Sequence, residues 1–391
     1  MSDYCIISEF NPMHNGHKYI VKKARELGAD SVSVVMSGNA TQRGELAIAD
    51  KYARGKAAIR SGVDLALELP YPWCASSAEY FATAGVYIAS QVADTLLFGS
   101  ECGDIELLSR AANISESAEF LQSFEEKKKA MGAAKAYSEC FVDAGIPQLR
   151  SNDLLGVAYI RAVRRLGVDL ACKTVKREGA AYSDTEAREG EFPSATAIRE
   201  LLARGELERI RSFVPTATAQ MLSAADKNGE LTDVAAALDA ALCFFRLTPP
   251  EHFEGVAEAG GGLANRICAA AAECRSGKEL FESVRTKRYT DAHVRRAMMF
   301  CMTGVGADAL DTLPEYTTLL GANAKGRELL ANKRRAGGLA VVTKPADAPR
   351  ASAQYQHSAK LDLLFGLARP QRSAASDALR KNAYIEIGEN S

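Results

Sequence analysis

His14 and His17 stand on either side of Asn15 and Gly16 in the run Glu9-Phe-Asn-Pro-Met-His-Asn-Gly-His17, where an apolar stretch gives way to a helical pattern. The chain has five histidines in all, so two of them around one glycine form a pattern with chemical meaning. A helix starting near Gly16 presents unsatisfied backbone N–H groups and the positive end of its dipole, a combination that stabilises an anion. Gly16 has no Cβ to hold a triphosphate away from the backbone. His14 and His17 can donate hydrogen bonds to phosphoryl oxygens that gain charge in a transition state. Such chemistry needs electrostatic stabilisation more than a covalent nucleophile. The plainer alternative is that both rings cap or pack the turn.

The flanking elements have the rhythm that would position such a loop. Tyr4–Ser8, Ser31–Ser37, Asp64–Pro70 and Asp94–Gly99 read as short buried strands. Between them, Ile20, Val21, Ala24 and Leu27 share a helical face, a second helical stretch follows Asp50 to Gly62, and a third covers Ala78–Gln91. Strands recurring at roughly thirty-residue spacing, each followed by a helix, imply right-handed βαβ crossovers and an α/β fold with a Rossmann-like, doubly wound parallel sheet. Such sheets bind ligands at the carboxyl ends of their strands. Ile105–Glu139 reads as a helix pair, Ser151–Leu166 as a further helix and Ala171–Lys176 as a fifth strand. Ala195–Arg204 is helical and Pro215 is a plausible boundary, which divides the chain into domains of 1–214 and 215–391. The second domain reads as mainly α-helical, with helices over Val234–Phe245, Gly262–Cys274, Lys278–Val284 and Ala292–Met302. A Gly-Gly turn at Gly337 precedes a short Leu339–Thr343 strand, and the small, polar tail from Pro370 is expected to be mobile at its end.

The run Pro12-Met-His-Asn-Gly-His17 resembles the first signature of the α/β-phosphodiesterase nucleotidyltransferase superfamily, and Ser194-Ala-Thr-Ala-Ile-Arg199 resembles its second. In the second run, Ser194 and Thr196 can cap the following helix and offer hydroxyls to the β- and γ-phosphates, with Arg199 adding charge; ordinary capping is the alternative. Met36–Glu45, Ala49–Arg54, Glu68–Pro70, Phe98–Glu101, Ser151–Gly156 and Lys176–Gly179 together resemble the bacterial tRNA(Met) cytidine acetate ligase family. The likeness is dense to about residue 210 and continues more thinly through Thr286–Thr290, Arg295-Arg296 and Leu320–Arg327. It departs at Ile20, Leu46 and Ser183, where the family often has histidine, proline and histidine. The resemblance implies a nucleotidyltransferase-type sheet and a helical C-terminal region that binds tRNA. It implies an enzyme that forms acetyl-adenylate from acetate and ATP, then passes the acetyl group to the wobble cytidine of elongator tRNA(Met) as N4-acetylcytidine. Residues Ile7 to Ile20 would form the ATP loop, with Ile7, Asn11, Pro12, His14, Gly16, His17 and Ile20 contacting ATP, joined by Gly99, Asn152, Arg177 and Arg199. His14, His17, Ser194 and Thr196 would be catalytic. Mg²⁺ would arrive with ATP, with no residue of the chain assigned to it.

Other residues have two readings each. Gln42 and Arg43 sit at the sheet's carboxyl edge and can orient acetate or the base, or form a solvated loop. Lys51, Arg54, Lys56 and Arg60 recur on one short helical stretch, as RNA phosphate contacts or a solvated face. Glu101 is a metal or ribose partner or neither, and Arg177 is an adenine or phosphate contact or a salt bridge. Lys287, Arg288, Arg295 and Arg296 form the best basic patch for the backbone of a folded RNA, with surface charge as the alternative.

Composition narrows the classes. The 391 residues are 47% hydrophobic and 25% charged, as in a globular chain with real cores. A net charge of −1 makes no case for a polyanion partner by itself. No run nears the ~18 apolar residues of a membrane span and no basic leader precedes the first strand, so a cytoplasmic protein is expected. Nine scattered cysteines without a C-x-x-C read as reduced, mostly buried thiols. Two other classes share the signatures: a small-molecule adenylyltransferase of cofactor synthesis, and a nucleotide-binding RNA-associated protein without catalysis. Against the first stands a helical half larger than a small acceptor needs, and against the second the intact histidine pair.

Overall fold

The structure, a computed structural model, describes residues 2–131, 133–177, 193–286, 289–335 and 338–387. Strand β1 (Asp3–Ser8) shows how the sequence builds the centre. Its alternate residues turn to opposite faces, Cys5 and Ile7 into one apolar layer and Tyr4 and Ile6 into the other. Helix α1 (Asn15–Glu26) buries Ile20, Val21 and Ala24 in the second layer. Strand β2 (Ser31–Ser37) is buried throughout, as a parallel strand covered on both faces must be. Helix α2 (Lys51–Ile59), β3 (Leu65–Leu69), α3 (Ala78–Ser90) and β4 (Thr95–Ser100) continue the alternation.

The expected helix pair after β4 is three helices, α4 (Ile105–Ile114), α5 (Ala118–Met131) and α6 (Ala133–Asp143); α7 (Ser151–Leu166) and β5 (Ala171–Lys176) follow as expected. Strands β5-β4-β1-β2-β3 lie side by side, all parallel. The order reverses between β1 and β4, the switch point at which such sheets open a crevice.

The second half is mainly helical, with α8 (Ala195–Ala203), α9 (Leu207–Ile210), α10 (Thr216–Lys227), α11 (Val234–Leu247), α12 (Leu263–Glu273), α13 (Gly277–Val284) and α14 (Asp291–Thr303). The last four share an apolar core of their own around Phe245, Ile267, Leu280 and Val294. A strand that the sequence reading lacks, β6 (Tyr316–Ala322), then pairs antiparallel with β3, so the sheet is mixed rather than wholly parallel. Its apolar run is too short for periodicity to tell strand from helix, and its place follows from the otherwise open edge of β3. Helix α15 (Ala324–Arg335) leads to β7 (Ala340–Val342), which matches the expected short strand and pairs parallel with β6. The expected turn at Gly337 and the last four residues of the tail lie outside the described residues. Helix α16 (Ala353–Leu367) precedes the tail, whose described part forms α17 (Ala375–Leu379) and β8 (Tyr384–Ile385), which also pairs with β6. All nine cysteines are free, five of them buried.

Candidate active site

The loop between β1 and α1 lies at the switch point. His14 is the N-cap of α1 and its Nδ1 accepts the Gly16 N–H (3.1 Å), while His17 Nδ1 accepts the His14 N–H (3.2 Å). Two imidazoles thus form the reciprocal capping box that serine and glutamate usually make. An Nδ1 that accepts is unprotonated, so each neutral ring carries its proton on Nε2 and offers it as a donor. The rings stack, centroids 3.8 Å apart. Burial, with the Arg177 charge, lowers the His14 pKa to about 3. Burial, His14 and Arg177 depress His17 as well. Both rings therefore stay neutral near pH 7, and the capping bonds through Nδ1 leave each ring an N–H on Nε2.

Three neighbours brace the loop. Asn11 Oδ1 accepts the Ile48 N–H (2.7 Å), Arg199 Nη1 donates to the Asn11 carbonyl (3.0 Å), and the Asn15 N–H donates to the Phe213 carbonyl (2.9 Å). Pro12 is buried within the loop.

Above the loop opens a cleft of about 280 Å³. Ile7, Asn11, His14, His17, Ile20, Gly99, Asn152, Arg177 and Ser194 all line it, together with Gln42 and Arg43. Gly16 lines an adjoining groove with Gly99 and Arg177. A Cβ on Gly99 would come within 3.1 Å of Arg177 Cγ and 3.2 Å of Ile20 Cδ1, so a side chain here would narrow the passage. Ser194 caps α8 by accepting the Ala197 N–H (3.1 Å). A crevice with a helix N-terminus, two neutral N–H donors and an arginine can hold a nucleotide triphosphate and stabilise charge at its phosphorus.

The model of the HIGH Nucleotidyl Transferase family matches residues 1–378. The tRNA(Met) cytidine acetate ligase of Thermotoga maritima is 36% identical over 86% of this chain and 85% of its own length. That of Listeria monocytogenes is 34% identical over 88% of this chain and 90% of its own. The crystal structure of apo Thermotoga maritima TmcAL superposes with a TM-score of 0.89 at 32% identity, over 99% of this chain and 100% of that one. The form bound with alpha-thio ATP gives 0.87 at 31%, with the same coverage. The chain belongs to the tRNA(Met) cytidine acetate ligase family. The expected family and nucleotidyltransferase fold are thereby met.

Several residues do different work in this ligase-family chain from what the sequence suggests. Thr196 and Arg199 turn away from the cleft to a separate cavity of about 600 Å³ between α8, α11 and α14. Arg199 is held by the Asn11 carbonyl and by Glu45 (3.2 Å), so it braces the phosphate loop from behind.

Lys51 and Arg54 are not RNA contacts, nor a solvated face. Both are buried. Lys51 Nζ pairs with Glu68 (2.8 Å) and Asp362 (2.9 Å). Arg54 donates to the carbonyls of Glu9, Ser37, Gly38 and Ala49. The strand ends around the loop leave carbonyls inside the protein, and a buried guanidinium satisfies them.

Glu101 accepts from the Asn152 amide group (2.6 Å) and the Asp153 N–H (2.9 Å), capping α7 instead of facing a metal. Arg295 pairs with Glu45 (3.1 Å) over the Phe281 ring, and Arg296 forks onto Glu258 (2.7 and 2.8 Å). These pairs neutralise the described half of the basic patch; Lys287 and Arg288 lie outside the described residues. Gly44 explains the arrangement: at φ 71°, its Cβ would fall 2.6 Å from the Arg296 nitrogen, so the loop carrying Gln42 and Arg43 rests directly on the backbone of α14.

Glu9 falls within the loop that the resemblance gives to ATP but has no role of its own there, and Tyr159 is not singled out by the sequence; both line the cleft. Tyr159 lies seven residues after Asn152 on α7, two helical turns along the same face, which is the signal that points to it.

Proposed function

We propose that the chain joins acetate to ATP as acetyl-adenylate and transfers the acetyl group to the wobble cytidine of elongator tRNA(Met), giving N4-acetylcytidine. The observation that carries this is the His14–His17 capping box, which turns two neutral N–H donors toward the phosphate site of a family whose solved member holds alpha-thio ATP. ATP lies with its triphosphate at the α1 N-terminus and its nucleoside toward Gly99, Asn152 and Arg177. An acetate oxygen attacks the α-phosphorus, the bond to the bridging oxygen breaks, and pyrophosphate leaves on the Ser194 side. His14, His17 and the helix N-terminus stabilise the charge that develops.

Mg²⁺ would enter with ATP and supply charge neutralisation at its phosphates. The mixed anhydride then meets the cytidine amine directly, without a protein nucleophile, and the cleft keeps water from it. Residues 1–214 carry the chemistry and 215–391 contribute to holding the tRNA. No described helix is long and apolar enough to cross a membrane, and a reaction on tRNA and ATP belongs in the cytoplasm. The test is incubation with ATP, radiolabelled acetate and total bacterial tRNA, followed by nucleoside analysis. Labelled N4-acetylcytidine is expected; unlabelled tRNA, with ATP consumed on a phosphorylated small molecule, would overturn the reading.

A further inference from the structure

The cleft has two chemically different sets of lining groups. His14 and His17 are N–H donors whose electrostatics are coupled to each other and to Arg177. The same cleft is also walled by Ile7, Phe81 and Leu155 and contains Glu9 and Tyr159, two polar groups that ATP activation does not need. Tyr159 is 2% exposed, its ring packs on Phe98 (5.5 Å), and its hydroxyl has no hydrogen-bond partner among the described residues. The hydroxyl is not among the fully buried atoms left without a partner, so it opens onto the cleft it lines, where it can donate to an acceptor on a ligand. Glu9 Oε1 accepts the Gln42 N–H (3.0 Å), which orients the carboxylate, while Oε2 has no partner among the described residues.

Resting on the function proposed above, we propose that Glu9 is the base that takes the amine proton during acyl transfer, and that Tyr159 donates to the acyl oxygen in the same step. The cytidine N4 lone pair forms the new bond to the acyl carbon. The carbonyl electron pair moves onto oxygen, facing the Tyr159 hydroxyl, and the N4 proton passes to Glu9 Oε2. The oxyanion collapses, the bond from carbon to the phosphate oxygen breaks, and AMP leaves with that electron pair. Glu9 returns its proton to AMP or solvent, so the products are acetylated RNA, AMP and a proton. A carboxylate also suits recognition, because cytosine presents its exocyclic amine as a donor. The apolar wall suits a methyl group.

Burial raises the Glu9 pKa and strengthens it as a base, opposed by Arg199 and Arg43 and assisted by Glu45. Arg54, bonded to the Glu9 carbonyl, and Tyr159 are further ionisable neighbours among the described residues.

Glu9→Gln keeps an acceptor for the Gln42 N–H and removes the base. Two half-reactions are measured on the full chain: acetate-dependent ATP–pyrophosphate exchange, and single-turnover transfer from preformed acetyl-adenylate to saturating tRNA. Exchange by the variant is expected within about 3-fold of wild type, with transfer slowed about 100-fold or more, the scale of general base catalysis. Wild-type transfer rises with pH through the Glu9 titration, and E9Q flattens that rise. Tyr159→Phe is expected to slow transfer at least about 10-fold with exchange retained, and it decides the matter should E9Q fail to fold. Transfer near wild type in both variants, or equal losses in both half-reactions, overturns the roles. A wild-type chain without acetate-dependent exchange overturns the functional reading and these roles with it.

Discussion

Helices α1 and α2 pack into the same apolar layer, and both begin with strong hydrogen-bond donors. At α1 each imidazole gives one nitrogen to the backbone and keeps an N–H for a ligand. At α2, Lys51 and Arg54 turn inward, onto two carboxylates and four carbonyls. The difference lies in what the surroundings already satisfy. A polar side chain can serve a substrate only where the fold leaves one of its groups open, so α1 has donors to offer the proposed chemistry, whereas the charged groups of α2 are taken up within the fold.

The comparison breaks first at α2. Lys51→Met leaves Glu68 and Asp362 buried without their cation, and urea unfolding should show a loss of about 3–5 kcal/mol. A loss under about 1 kcal/mol, accompanied by weaker tRNA binding, would return Lys51 to the RNA-facing role. At α1 the opposite signature is expected. His17→Glu keeps an acceptor able to close the capping box and carries no N–H donor, so acetate-dependent pyrophosphate exchange should fall about 100- to 1,000-fold at a thermal midpoint close to wild type. Equal stability and undiminished exchange would make His17 a cap only.

Acid sharpens the contrast further. His14 resists protonation in the folded chain down to about pH 3, while the unfolded chain takes up that proton near the ordinary 6.5. The unfolded state then binds more protons across that window, so stability falls as pH drops through it. His14→Asn, which keeps a capping side chain, should lose less stability than wild type between pH 7.5 and 5.5 in urea titrations. His17 preserves part of the slope. The smallest effect is expected at α14, where Arg295 and Glu45 are each about a third exposed. Arg295→Ala should change stability by no more than about 1 kcal/mol and leave the salt dependence of tRNA binding unaltered. A slope reduced by about one unit would mark a phosphate contact after all.

Legibility followed the range of the interactions. The strands around β1 and the helix starts at His14 and Ser194 were readable because periodicity and capping act within a few residues. Most of the cleft-lining set was readable for the same reason, since it clusters in the loop after β1 and at the ends of β4, β5 and α7. Thr196 and Arg199 belong to the same short run as Ser194, yet the helix turns them to another cavity. The charges of α2 and α14 were misleading because their partners come from elsewhere in the chain. Asp362, for example, lies 311 residues beyond the Lys51 it neutralises.

The residue pattern by itself determined the βαβ alternation, the helix start after β1 and the identity of its two imidazoles. Each is set by local backbone geometry and by side chains a turn apart. Tertiary structure alone decided that β6 closes the edge of β3, that Lys51 and Arg54 are interior, and that Glu9 meets Tyr159 across one cleft. Those outcomes depend on which distant groups share a desolvated space, where an unpartnered charge or donor is costly and a paired one is stable.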